Sequence, residues 1–291
     1  MNKTKIKKSI TEEFTGDPID DGKVLLPAFH SLRQFVSSNQ LDEAIAAAES
    51  IIFDIENSNY YQNTTDKKYY AFRNPFEAIL FEFIHQPEWE VLLAPVTYYS
   101  IYNNYGAMLV EKKQYDDAER VLLKVCEINP MSTDAAYELT ILMNFKKDLD
   151  SYFSLTKECL NISCTRESLA RGLRNIGKYY MNIGKYDLAS AAFTASSQYE
   201  PETIVLKSFI DVLAERSRGI YKNYQLPDAI KMLEAESIPT KPSGTVVNLA
   251  MYLLKEAQKD GKPNIANYYR QVLLGMTPLG ISTGQKLEAL N

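Results

Sequence analysis

The sequence predicts an all-α chain built of stacked antiparallel helix pairs, and three observations carry that prediction. First, nine landmarks recur at one displacement. Tyr102, Tyr105, Gly106, Leu109, Tyr115, Ala118, Leu122, Val125 and Pro130 return 71 residues later as Leu173, Ile176, Gly177, Tyr180, Tyr186, Ala189, Phe193, Ser196 and Pro201. That displacement fits two repeats of about 34 residues with a three-residue insertion, and self-similarity at such a period marks units that stack. Second, the apolar residues inside a unit follow helical spacing. Third, the links between paired segments are short enough to force antiparallel neighbours.

One unit shows the physics. From Ser100 to Lys113, Tyr102, Tyr105, Leu109 and Val110 share a face with Gly106 and no proline intervenes. From Tyr115 to Ile128, Ala118, Val121, Leu122, Val125 and Ile128 form a second stripe, and Asn129-Pro130 ends it. Gly106 and Ala118 are the smallest residues on these stripes, which is what close approach of two helix backbones requires. A lone pair cannot bury both of its faces, so each pair must stack on the next.

These residues resemble the tetratricopeptide repeat. Counted from Tyr99, the chain offers Tyr102, Tyr105-Gly106, Leu109, Ala118, Leu122, Val125 and Pro130 at the motif positions; counted from Ala170, it offers Leu173, Ile176-Gly177, Tyr180, Ala189, Phe193, Ser196 and Pro201. The resemblance implies a right-handed superhelix of stacked antiparallel helix pairs, an α-α superhelix whose activity is binding.

The remaining elements follow in chain order. Residues 1–24 are polar and broken by Gly16-Asp17-Pro18 and Asp20-Asp21-Gly22, and read as a flexible N-terminal arm. A single solenoid is expected over 25–291. A degenerate repeat over 26–57 pairs a helix from Leu26 to Val36 with one from Leu41, where Leu41, Ala44, Ala48 and Ile51 keep the repeat phase. Asp54 to Lys68 reads as loop or frayed helix. Asn74-Pro75-Phe76-Glu77 supplies an N-cap, a proline at the first helical position and an acid at the third. The segment it opens, Phe76 to Ile84, is apolar on most sides and is expected to be buried between neighbours.

Trp89 to Leu93 reads as a short helical piece, which completes an inserted segment over 74–95. That block resembles a segment found in some bacterial repeat proteins. Clear repeats occupy 99–132 and 170–203, and degenerate ones 133–169, 204–238 and 245–278. In the first of these, Thr140 and Tyr152 replace the small residues, so its helices should stand further apart. The polar tail should cap the array.

Composition narrows the function. The formal charge of −5 argues against nucleic acid as the main ligand. No apolar run is long enough to span a membrane, and the lysine-rich start, Met1 to Ser9, lacks the apolar segment of a signal peptide. Cys126, Cys159 and Cys164 are odd in number and form no C-x-x-C pair; they read as small core or near-core residues of a reduced, cytoplasmic protein. In that setting the Asn-x-Ser/Thr triplets at Asn2, Asn63 and Asn161 carry no glycosylation meaning. Only two histidines exist, His30 and His85, and no catalytic or phosphate-binding motif accompanies them. His85 reads as a cap for carbonyls at a helix end. The expectation is no catalysis, no cofactor and no metal, with an enzyme kept as the third reading.

The resemblance implies that first helices line a concave groove. The corresponding positions are Ser100, Asn103, Ala107 and Val110; Asp134, Tyr137, Ile141 and Asn144; Arg171, Arg174, Lys178 and Met181. Their spacings of three, four and three place each set on one helical face. Asn103, Tyr137, Asn144, Arg171, Arg174, Asn175 and Lys178 are the candidate binding residues. Arg171, Arg174 and Lys178 make a basic stripe in an acidic protein, and like charges at this spacing repel unless something neutralises them. One reading is a clamp for the carboxylates of an extended peptide; the other is internal pairing with Asp134 or Glu138. Tyr102, Tyr105 and Tyr180 fall on core positions, whereas Tyr137 should point to the groove. The partner expected is a protein or extended peptide bearing acidic groups, with neither nucleic acid nor membrane. The alternative is a cytoplasmic receptor for a short regulatory peptide acting through a protein partner.

Overall fold

The computed structural model describes residues 9–201 and 203–279. Most of the lysine-rich start, with the Asn2 triplet, and the tail expected to cap the array lie outside the described residues. Among the described residues the fold is all-α but for one pair of short strands, and the chain divides after Leu142 into two compact units. A single array was the expectation from sequence.

The first unit opens on a 3-10 turn, Ile10–Glu13, and α1, Pro18–Ser37. Helix thus begins inside the stretch expected to be a flexible arm, eight residues before Leu26. Asp17 caps it by accepting from the Ile19 and Asp20 amides at 2.8 and 3.0 Å, and Pro18 fits the first turn, where no amide is needed. Asp21 is fully buried and anchors the preceding loop, accepting from the Thr15 and Gly16 amides at 2.7 and 3.0 Å and from the Tyr61 hydroxyl. Asp21, which falls in the stretch expected to be a flexible arm, is therefore a buried carboxylate satisfied by the amides of its own loop.

Helix α2, Leu41–Glu56, packs on α1 through Ala44, Ala48, Ile51 and Ile55. The segment after it is partly strand. β1, Lys67–Tyr70, pairs in parallel with β2, Glu90–Leu93, with Lys67 opposite Glu90 and Tyr70 opposite Leu93. The short helix expected from Trp89 is thus an extended segment, because its four residues find a ladder partner that no local signal announces. Between the strands runs α3, Pro75–His85. Asn74 caps α3 as expected, its side chain accepting from the Glu77 amide at 3.0 Å. One side of α3 is exposed, however, with Phe83 at 53% and Ile84 at 39%, so it is not enclosed by neighbours. Glu77 occupies the core instead.

Helices α4, Val96–Glu111, and α5, Tyr115–Ile128, form the next pair. A Cβ placed on Gly106 would lie 2.6 and 2.8 Å from the Leu122 side chain, so glycine sets how closely these two helices approach. The β1–α3–β2 block is fastened to the end of α5: the Ala71 amide donates to the Ile128 carbonyl at 2.9 Å. Helix α6, Thr133–Lys146, begins in this unit and finishes in the next.

The second unit holds α7, Leu149–Ile162; α8, Arg166–Asn182; α9, Tyr186–Ser196; α10, Ile204–Arg216; α11, Leu226–Ala235; α12, Gly244–Lys259; and α13, Pro263–Met276. Its core runs through α8 and α9, where Leu173, Ile176, Tyr180, Ala189, Ala192 and Phe193 are all buried. Gly177 repeats the role of Gly106, for a Cβ there would come within 2.7 Å of the Phe193 ring.

One local device recurs at helix-pair turns in both units. Asn39, Lys113, Lys147, Gly184 and Gly261 all have positive φ, between 57° and 76°. The residue after each donates back five positions: Gln40 to Phe35, Gln114 to Leu109, Asp148 to Met143, Lys185 to Tyr180 and Lys262 to Ala257, all at 2.8–2.9 Å. The left-handed residue reverses the chain while that bond closes the last helical turn.

Candidate peptide-binding faces

In the second unit the candidate residues sit on α8. Thr165 starts this helix with a reciprocal cap, its hydroxyl accepting from the Ser168 amide at 3.1 Å. Arg166 then reaches the end of α13, donating to the Leu274 and Thr277 carbonyls at 2.7 and 2.6 Å. A guanidinium against terminal carbonyls satisfies groups that the helix itself leaves unpaired. The sequence gives no hint of this pairing, since the partners are more than a hundred residues apart.

The basic stripe is only partly a surface. Arg174 is 8% exposed and its Nη1 lies 2.7 Å from Glu200 Oε2, in the turn that follows the next helix. Its neutralising partner is neither Asp134 nor Glu138. Asn175 is also buried, and its carbonyl accepts from the Tyr152 hydroxyl at 3.0 Å. Burial raises the Tyr152 phenol well above the usual tyrosine range, against the opposing pull of Arg171. Arg174 and Asn175 are thus corrected from ligand-facing to internal residues. Arg171 and Lys178 are half-buried. Lys178 Nζ stands 4.4 Å from the Phe209 ring centre, and Phe209 stacks on Phe193 at 5.7 Å.

Beyond them, Asn144 forms part of a polar chain. Asn182 Nδ2 donates to Asn144 Oδ1 at 2.7 Å, and Arg216 Nη1 donates to Asn182 Oδ1 at 2.8 Å. This chain ties the end of α6 to α8 and α10. The second unit also carries a cleft of about 720 Å³ along the turns at 184–188 and 219–222, residues that the sequence did not mark as binding candidates.

In the first unit Asn103 lies half-buried on α4, and its Oδ1 is buried without a hydrogen-bond partner. Tyr137 is fully buried, contrary to the expected groove-facing direction. The helical phase was right for a surface only if nothing packed there, and the side chain is large enough to fill core. Asp134 is also taken: it binds Arg73 Nη1 at 2.5 Å.

Arg73 belongs to a polar cluster that sequence reasoning missed. Its Nε and Nη2 lie 2.8 and 2.7 Å from Glu77 Oε1, while Asn129 Nδ2 donates to Glu77 Oε2 at 2.9 Å. Glu77 is fully buried, so these contacts supply what water would otherwise provide. Asn129 is the residue before the proline that ends α5. His85 does not act through carbonyls: its ring packs on Phe81 at 4.8 Å. Cys159 is buried, Cys126 and Cys164 are half-buried, and none of the three is in a disulfide.

Compared with known families, residues 99–130 match the tetratricopeptide repeat. The chain carries a tetratricopeptide repeat. The match covers α4, α5 and their turn, the pair in which Gly106 lies under Leu122. No curated protein matches the chain. Tetratricopeptide repeats are protein-interaction modules, and the helical pairs of both units agree with a scaffold of that kind. Among the described residues, no helix is long and apolar enough to cross a membrane.

Proposed function

We propose that this protein is a non-enzymatic scaffold that binds a protein or extended peptide on its first-helix faces, and that acidic groups of the partner meet α8. The match at residues 99–130 carries the scaffold reading, because the repeat builds exposed helix faces and no reaction chemistry. Its finer part rests on Arg171 and Lys178, cations seven residues or about two turns apart on α8, with Asn182 one turn further along joined to Asn144 and Arg216 as polar contacts. Charge-assisted hydrogen bonds at such positions contribute about 1.5–3 kcal/mol each when desolvated. Arg174 has no part in recognition; it holds the turn after α9 to α8 through Glu200.

The test is affinity capture from an extract of the source organism at low and high salt. The wild-type chain is compared with Arg171→Ala/Lys178→Ala. Capture should be lost in the variant and weakened by salt. Capture that survives both changes removes the acidic ligand from this face.

A further inference from the structure

The strongest feature outside the faces already described lies in the first unit. Helices α2 and α5 both pack on α4 and leave between them a groove of about 720 Å³. Tyr102 and Tyr105 of α4 form its floor. Along α2 the wall reads Glu49, Ile52, Phe53, Glu56, spaced three, four and seven residues from the first, so one stripe runs acid, apolar, apolar, acid. Along α5 the wall carries three acids, Asp116, Glu119 and Glu127, around Val121 and Leu123, with two cations, Arg120 and Lys124, among them.

Two of these features are costly unless they have a use. Phe53 is 66% exposed and Leu123 52%, so the apolar centres of both walls face solvent. The carboxylates are also held in place: the Tyr102 hydroxyl donates to Glu56 at 2.5 Å and the Tyr105 hydroxyl to Glu49 at 2.9 Å. Neither Glu49 nor Glu56 has an ion-pair partner among the described residues. Of the two cations in the groove, Lys124 pairs with Glu127 on the same wall at 3.3 Å and Arg120 with Asp117 at 3.0 Å, so five lining acids against two bases leave the groove acidic. Fixed acids at both ends and exposed apolar side chains between them define the complement.

We infer that this groove docks a cationic amphipathic helix of a protein partner, one apolar side chain between Phe53 and Leu123 and a lysine or arginine about one turn away on each side. Glu49 and Glu56 are two helical turns apart, about 10.5 Å along the axis. A docked helix meets that spacing with cations at i and i+7 around an apolar residue at i+3 or i+4. The occupant differs in charge from the one proposed for α8, and the site belongs to a different unit.

The test uses the full chain and a fluorescent amphipathic helical peptide of leucine and lysine, with a scrambled peptide of equal charge as control. The designed peptide should bind more tightly than the scrambled one. Glu49→Gln/Glu56→Gln keeps acceptors for both tyrosines and should weaken it about tenfold, and Phe53→Ser, at an exposed position, should do likewise. Arg171→Ala/Lys178→Ala should leave it unchanged, so failure here is distinct from failure on α8. Equal binding of the scrambled peptide, or no loss in either groove variant, overturns the inference. Tighter binding on deleting residues 1–8, which carry Lys3, Lys5, Lys7 and Lys8 around Ile6, overturns the assignment to a partner and gives the groove to the chain's own start. Unchanged binding after that deletion supports the partner.

Discussion

Gly177 and Gly106 show how far a single residue can be read. From the sequence they are small residues at matching positions of two repeats; in the structure each lies under a large side chain of the next helix, Phe193 and Leu122. A methyl group at either position has no room, because the obstructing atoms belong to packed rings and branched chains. Gly177→Ala should therefore destabilise the protein by about 1–3 kcal/mol despite the better helix propensity of alanine. Gly177→Ala/Phe193→Leu should recover part of that loss, as chemical denaturation will show. Arg174 marks where such reading stops. Its helical phase was legible and its charge looked available, but Glu200 is 26 residues away in sequence and comes alongside only through the α8–α9 turn. Arg174→Ala should cost about 1–3 kcal/mol, since it leaves a partly buried carboxylate unpaired, and should do so with or without a partner present.

Whole elements were most legible where a repeat supplied a phase. The positions of α4, α5, α8 and α9 follow from apolar spacing and, for α5 and α9, from the prolines that come after them. The Asp17 cap and the parallel strands were not legible, for different reasons. Asp17-Pro18 carries a helix-start signal, but Gly16, Asp20, Asp21 and Gly22 close by obscure it. The strands are four residues long and depend on each other across nineteen intervening residues. What secures the block between them is the Arg73–Glu77 cluster. Arg73→Ala strands a fully buried carboxylate and should cost about 3–5 kcal/mol, read as a shift in the denaturation midpoint. The helix-pair turns permit the opposite change. Lys113 and Lys147 hold left-handed backbone, φ 60° each, where Gly184 and Gly261 do the same work without strain. Lys113→Gly and Lys147→Gly should each raise stability by about 0.5–1 kcal/mol.

Across the whole molecule, tyrosine is the titratable group most altered by folding. Burial raises Tyr99, Tyr105 and Tyr180 to about 12, helped by Glu49 at Tyr105 and Glu236 at Tyr180 and opposed at Tyr99 by Ser132 and Arg73. These phenols bind their protons more tightly in the folded than in the unfolded chain, where the value is about 10. The stability they contribute is complete below pH 10 and is lost as pH rises from there toward 12. Alkaline unfolding should begin in that window, and Tyr105→Phe should flatten it when denaturation is followed by circular dichroism.

The central claim is that a partner engages the first-helix face. A photo-crosslinking amino acid placed at Lys178 on α8, and in a separate chain at the exposed Lys231 on α11, tests it directly. The account predicts a discrete protein adduct from position 178 and none from position 231. Adducts from 231 alone, or from neither position, would contradict it.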